Sequence, residues 1–270
     1  MTYCVAIKLD AGLVFLSDSR TNAGVDHIST FRKVTVYERT GDRFMVLQSA
    51  GNLSISQSVR ELLPVEHVKD AEGGDPITIW NCRTMFDAAR VLGQAVRRVH
   101  DRDADALRAA GVEFNAALLF GGQIRGEDMR LFQVYSAGNF IEATADTPYF
   151  QVGEAKYGKP VLDRVVRPDM PLAEASKCAL VSMDSTMKSN LSVGPPLDLV
   201  VYEVDTFHSD KLVSIDMANP YFRMLHSVWG QKLREVFDAL PDPAWDDPQG
   251  GTPLKVQHPH DRPMDKVTAA

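Results

Sequence analysis

Met1-Thr2-Tyr3-Cys4-Val5-Ala6-Ile7-Lys8-Leu9 opens the chain, and Gly12-Leu13-Val14-Phe15-Leu16-Ser17 follows it across Asp10-Ala11. Two short apolar runs punctuated by Asp10-Ala11-Gly12 read as a hairpin of buried strands. A residue as small as Thr2 behind an initiator lets the methionine be removed. Lys8 and Asp10 interrupt the apolar run and no basic segment precedes it, so no signal peptide is expected and the protein is placed in the cytoplasm. Thr2 would then carry an α-amine and a β-hydroxyl on one residue, a nucleophile with its own base. The amine, with a reference pKa of ~7.7–8.0, can take a proton near neutrality. Met-Thr alone is equally the start of an ordinary strand, so the residues beyond it have to decide.

Working outward, Ser17-Asp18-Ser19-Arg20 ends the second strand and Thr21-Asn22-Ala23-Gly24 reads as a loop. Lys33-Val34-Thr35-Val36-Tyr37 alternates as a third strand, and Phe44-Met45-Val46-Leu47 is a fourth. The fourth stops at Ser49-Ala50-Gly51-Asn52, where Asn52 or Ser54 can cap a helix. Thr84 starts a long helix whose later part, Arg97 to Arg108, reads as a solvated face. Two strands (114–120 and 130–135), Ser136-Ala137-Gly138, a short extended piece (149–153) and a helix around 154–166 come next. Pro171 opens another helix at a first-turn position, running toward Ser189. A strand spans 198–204. Residues 219–240 have the spacing of a final helix capped by Asn219, and 241–270 read as a mobile or surface-draped tail. Blocks of strands and helices without βαβ alternation imply an α+β fold, a four-layer αββα sandwich of two antiparallel sheets between helices. The domain is expected to cover 2–240.

Composition narrows the function classes. The 270 residues are 44% hydrophobic and 24% charged, with a net charge of −7, which gives no reason to expect a nucleic-acid partner. Cys4, Cys82 and Cys178 stand far apart, which argues against a disulfide framework or a zinc site. No apolar run reaches the ~18 residues of a membrane span. His258 and His260 could chelate a metal, but two histidines in such a tail do not make a site. There is no Walker motif and no GxGxxG, so no cofactor is expected, and any ATP-driven unfolding would need a separate protein.

Thr2 at the first strand, Ser17-Asp18-Ser19-Arg20-Thr21 at the end of the second, Lys33 at the third and Ser49-Ala50-Gly51 before the first helix together resemble the proteasome β-type subunits and their bacterial relatives, the N-terminal nucleophile (Ntn) hydrolases. The resemblance covers roughly residues 2–205. Asp18 to Asp26 and Ser29-Thr30-Phe31-Arg32-Lys33 look most like the bacterial group called Anbu, the ancestral β-subunit. The resemblance implies a threonine-type peptidase acting on peptides or unfolded protein in a homo-oligomer, a ring or a ring-like helical dodecamer.

Carried onto this chain, Thr2 is the expected nucleophile and base. Lys33 would favour the developing alkoxide, and Asp18 would orient Lys33. Gly51 offers a backbone N–H to the oxyanion. Ser136 matches a serine near the amine, and Arg20 is expected to be structural, pairing with a carboxylate. The family's Arg-Asp-x-x-Ser-Gly-Gly stands here as Lys188-Ser189-Asn190-Leu191-Ser192-Val193-Gly194. Ser192 matches, but Ser189 replaces the aspartate that helps hold the amine, which implies weakened catalysis. An amidase acting on small amides, and a scaffold subunit without turnover, remain open as alternatives.

Overall fold

The computed structural model describes residues 2–22, 28–69 and 73–242. In chain order the elements are β1 (Tyr3–Leu9), β2 (Gly12–Asp18), β3 (Arg20–Asn22), β4 (Ile28–Thr30), β5 (Val34–Arg39), β6 (Arg43–Gly51), α1 (Leu53–Leu62) and α2 (Met85–Ala109). Then come β7 (Ala116–Ile124), β8 (Arg130–Val134), β9 (Phe140–Glu142), β10 (Tyr149–Gly153), α3 (Lys159–Val165), α4 (Leu172–Ser189), β11 (Leu197–Glu203), β12 (Lys211–Ile215) and α5 (Pro220–Asp238).

Two five-stranded antiparallel sheets form the centre. One runs β10-β1-β2-β11-β12 and the other β5-β6-β7-β8-β9. The expected αββα layering is present. Cys4, Ala6, Leu13 and Phe15 of the first sheet meet Phe44, Val46, Leu119 and Leu131 of the second in one core. A second core lies under α1 and α2, where Ile55, Val59, Ala89, Leu92 and Val96 cover Met45, Leu47 and Phe120. α4 packs on β1, β2 and β11, with α3 beside it. A strand covered on both faces must be apolar at every position, not only at alternate ones. This is why β1 and β2 are near-continuous hydrophobic runs.

The helix starts follow their caps. Asn52 Oδ1 accepts the Ser54 N–H at 3.0 Å, and Thr84 Oγ1 accepts the Asp87 N–H at 3.0 Å. Each satisfies an orphan donor of a first turn. Asn219 does the same for Phe222 at 3.1 Å, as its sequence position implied.

Several expectations need correction. Thr21 and Asn22 are not loop: with Arg20 they form one strand of a small hairpin, paired with Ile28–Thr30. The third main strand begins at Val34, after Lys33. β9 and β12 are additions to the expected strands, because short edge strands carry little periodicity. α3 starts at Lys159, since 154–158 leave β10 as irregular chain, and Pro171 is the N-cap of α4, outside the helix. Among the described residues two compact units are distinguished, one ending at Leu225 and one beginning at His226. The final helix also buries less than its spacing suggests: Phe222 and Leu225 are buried, whereas Val228, Leu233, Val236 and Phe237 are exposed. Of the expected tail, residues 243–270, including His258 and His260, lie outside the described residues. No described helix is long and apolar enough to cross a membrane, and no described cluster of His, Cys, Asp or Glu could hold a metal.

Candidate active site

β1 lies between β10 and β2, so the chain start is gripped from both sides. The pairing Cys4↔Ser17 brings Asp18 opposite Tyr3, and Asp18 Oδ1 accepts the Tyr3 N–H at 3.0 Å. The same oxygen receives Lys33 Nζ at 2.9 Å. Lys33 also donates to the Arg20 carbonyl at 2.6 Å. The ammonium is thereby fixed beside the Thr2–Tyr3 peptide. Both side chains are buried, at 6% and 0% exposure, which separates this pair from an ordinary surface ion pair. Burial pushes the Asp18 carboxyl above the usual aspartate range, while Lys33 and the Tyr3 and Gly194 backbone N–H groups pull the other way.

On the opposite flank the Glu154 N–H donates to the Thr2 carbonyl at 2.7 Å. Gly153, paired with Tyr3, has φ +84°, and a Cβ there would stand 2.0 Å from the Thr2 carbonyl oxygen. Only glycine lets β10 pass so close to Thr2. Gly153→Ala is expected to destabilise the protein by about 1–3 kcal/mol and to displace Thr2. Thermal unfolding together with probe labelling checks this: a variant with wild-type melting and labelling would refute it.

Gly51 ends β6 with φ +105°, and a Cβ there would meet the Asn115 carbonyl oxygen at 2.5 Å. The Ser49 N–H donates to the Lys33 carbonyl at 3.1 Å. Strand alternation turns the Gly51 N–H, two residues on, to that same side. A neighbouring thiol does not compete. Cys4 is fully buried with Sγ 3.6 Å from the Ser49 carbonyl, and burial pushes its pKa up, which disfavours the reactive thiolate.

This geometry has close counterparts among solved structures. Anbu (ancestral β-subunit) from Yersinia bercovieri is 49% identical, with a TM-score of 0.82 over 91% of this chain and 100% of its own. The chain belongs to the Anbu family of proteasome β-subunit relatives. Anbu from Hyphomicrobium sp. strain MC1 is 48% identical over 89% of this chain and 98% of that one, at a TM-score of 0.79. The Anbu complex from Pseudomonas aeruginosa, a helical assembly, is 44% identical over 90% and 98%, at 0.82. Neither a protein-family model nor a curated protein matches the chain.

Within this Anbu chain the structure brings Thr2, Asp18, Lys33 and Gly51 to one end of the two sheets. The supporting residues fall out differently. Ser136 Oγ donates to the Ala116 carbonyl at 2.9 Å and accepts its N–H at 3.1 Å. Since Ala116 pairs with Gly51, Ser136 ties down the strand end next to the oxyanion position. Arg20 Nη1 donates to the Leu191 carbonyl at 2.9 Å, so it clamps the loop after α4 through a carbonyl instead of the expected carboxylate. Ser189 is the exposed last residue of α4. Asn190, one residue on, turns inward: its Nδ2 donates to Glu154 Oε2 at 2.9 Å and its Oδ1 accepts the Ser192 N–H at 2.9 Å.

Glu154 and Asn190 escape a reading of the sequence. A buried acid beside a strand end is a usable signal, but only once that strand is known to pair with β1, across some 150 residues of chain.

Proposed function

We propose that this Anbu chain, with Met1 removed, is a threonine-type peptidase acting through a Thr2 acyl-enzyme. One observation carries the reading: the Tyr3 N–H and the buried Lys33 ammonium converge on a single Asp18 oxygen beside Thr2. In the proposed reaction Thr2 Oγ attacks an amide carbonyl and its proton passes to the Thr2 amine. Lys33 stabilises the developing alkoxide, and the Gly51 N–H meets the oxyanion. The amine then protonates the leaving group, and water releases the acyl-enzyme by the same route. Lys33 also borders a shallow, water-sized hollow lined by Thr35, Leu47, Ser49, Leu53 and Gln57.

The substrate class is peptide or unfolded protein, delivered in the cytoplasm to a self-compartmentalising homo-oligomer. A separate unfoldase would have to supply folded proteins. The helical assembly of the Pseudomonas relative supports the oligomer, as do the exposed Val228, Val236 and Phe237 of α5. A non-catalytic scaffold is the second reading, favoured by the exposed Ser189 where a carboxylate is expected. The test is intact mass after exposure to a peptide epoxyketone or β-lactone. Loss of Met1 and one adduct per chain are expected. Met1 retained in protein from its native host, or no adduct on processed protein, refutes the peptidase. A panel of tripeptide amides, denatured protein and small amides separates it from an amidase.

A further inference from the structure

We propose that Glu154 is the positioning residue for the Thr2 α-amine, supplying from the end of β10 the negative charge that Ser189 does not supply from α4. The inference rests on the threonine-hydrolase reading of the same site and names the group that sets the basicity of its amine.

Glu154 follows the Gly153↔Tyr3 pair, so it lies opposite Thr2 across the ladder and bonds the Thr2 carbonyl through its own N–H. Its carboxylate is not displayed to solvent: the residue is 7% exposed. Buried carboxylates need partners, and this one is held on Oε2 by the Asn190 amide, itself braced by the Ser192 N–H. The sheet bond of Glu154 uses only its backbone, which leaves the carboxylate to the Asn190 amide and to whatever else borders Thr2.

The other charged groups around Thr2 are engaged elsewhere. Asp18 on β2 has its charge matched by Lys33 on Oδ1, although its buried Oδ2 accepts no side-chain hydrogen bond, and Arg20 on β3 reaches the Leu191 carbonyl. Lys156 stands 3.5 Å from Glu154 Oε1 but is 69% exposed, so water screens it. On α4, Asp184 is buried further up the helix and has a partner of its own, and Lys188 is exposed. Removing Met1 creates a new amine in this setting, beside a Lys33–Asp18 pair with no net charge. Glu154 is then the carboxylate beside it whose charge no buried cation matches.

The role follows from proton accounting. The amine takes the Thr2 hydroxyl proton and becomes an ammonium, then returns that proton to the leaving amine of the substrate. Glu154 exchanges no proton; it orients the amine and favours its charged form. An anion raises the pKa of a neighbouring amine, so neutralising it lowers that pKa.

The test titrates the amine directly on protein released with Thr2 at its N-terminus from a cleavable fusion. The probe is ¹³C-formaldehyde reductive methylation read by NMR across pH. In Glu154→Gln, which keeps the shape and can still accept from Asn190, the amine pKa is expected to fall by about one unit. The acid limb of β-lactone labelling moves to lower pH with it. Glu154→Asp, which keeps the charge, is expected to lie between the two. A Glu154→Gln amine titrating within about 0.2 unit of wild type overturns the proposal. If that variant does not fold, the wild-type amine is compared with the urea-unfolded chain: a higher value when folded supports the proposal, and an equal or lower one overturns it. An amine that shifts as expected in Glu154→Gln, on a wild-type protein that forms no adduct, would sink the peptidase and leave only the contact between Glu154 and the amine standing.

Discussion

Thr2→Ala protein is expected to take up no β-lactone or epoxyketone adduct and to hydrolyse peptide amides about 10⁴-fold more slowly than the processed wild type, or less. The size of the loss follows from how much rests on one residue. Its Oγ is the attacking atom, and its α-amine is held in place by the same backbone. Alanine keeps the amine and every backbone bond, including the Glu154 N–H to the residue 2 carbonyl. The melting temperature is therefore expected to hold while chemistry disappears. No nearby group takes over. Cys4 is buried and its thiol is pushed up in pKa, Ser19 Oγ donates to Asp198 at 2.6 Å, and Lys33 is committed to Asp18. Turnover and labelling are read on the same preparation by mass spectrometry and a fluorogenic peptide. Residual labelling at Thr2→Ala would move the nucleophile elsewhere.

Lys33→Met has the second large effect, and it falls on stability as well as rate. Asp18 is fully buried, and its partner ammonium would be gone. Leaving one member of a buried pair behind costs about 3–5 kcal/mol. For a chain of this length that corresponds to about 6–20 °C in melting temperature.

The pH dependence has a definite sign. Burial already holds the Asp18 carboxyl above its ordinary value, and removing Lys33 takes away the main opposing influence. The folded state then binds a proton that the unfolded chain, with a carboxyl near ~3.9, releases first. Stability therefore falls as pH rises from the unfolded value through the raised folded one, and the variant recovers when the pH is lowered toward that window. Circular-dichroism melts at pH 5 and pH 7 read this directly. A Lys33→Met protein equally stable at both would show that the pair is not coupled to folding. Asp18→Asn with Lys33→Met removes both charges and is expected to be more stable at pH 7 than Lys33→Met alone.

These expectations rest on parts of the chain that differ in how readable they are. The continuous apolar runs of 3–9 and 12–17 announce strands covered on both faces, and the family resemblance carried by Thr2, Asp18, Lys33 and Gly51 marks out a candidate site. Both signals are local: hydrophobic period and turn chemistry sit within a few residues of each other. The small hairpin of Arg20–Asn22 with Ile28–Thr30 stays hidden, because three-residue polar strands show no period. The same holds for the edge strand Lys211–Ile215, and the apolar spacing of α5 overstates its burial because period reports a face without reporting what covers it.

The sequence alone therefore determined the strand-and-helix blocks, the αββα class and the candidate residues Thr2, Asp18 and Lys33. The tertiary structure alone decided what surrounds Thr2. It left Ser189 exposed at the end of α4, gave Ser136 to the Ala116 backbone, and joined Asn190 to Glu154 beside the chain start. The reason is physical. The β1–β10 pairing joins residues some 150 positions apart, and its register is set by burial across the whole sheet, information that no short window of sequence contains.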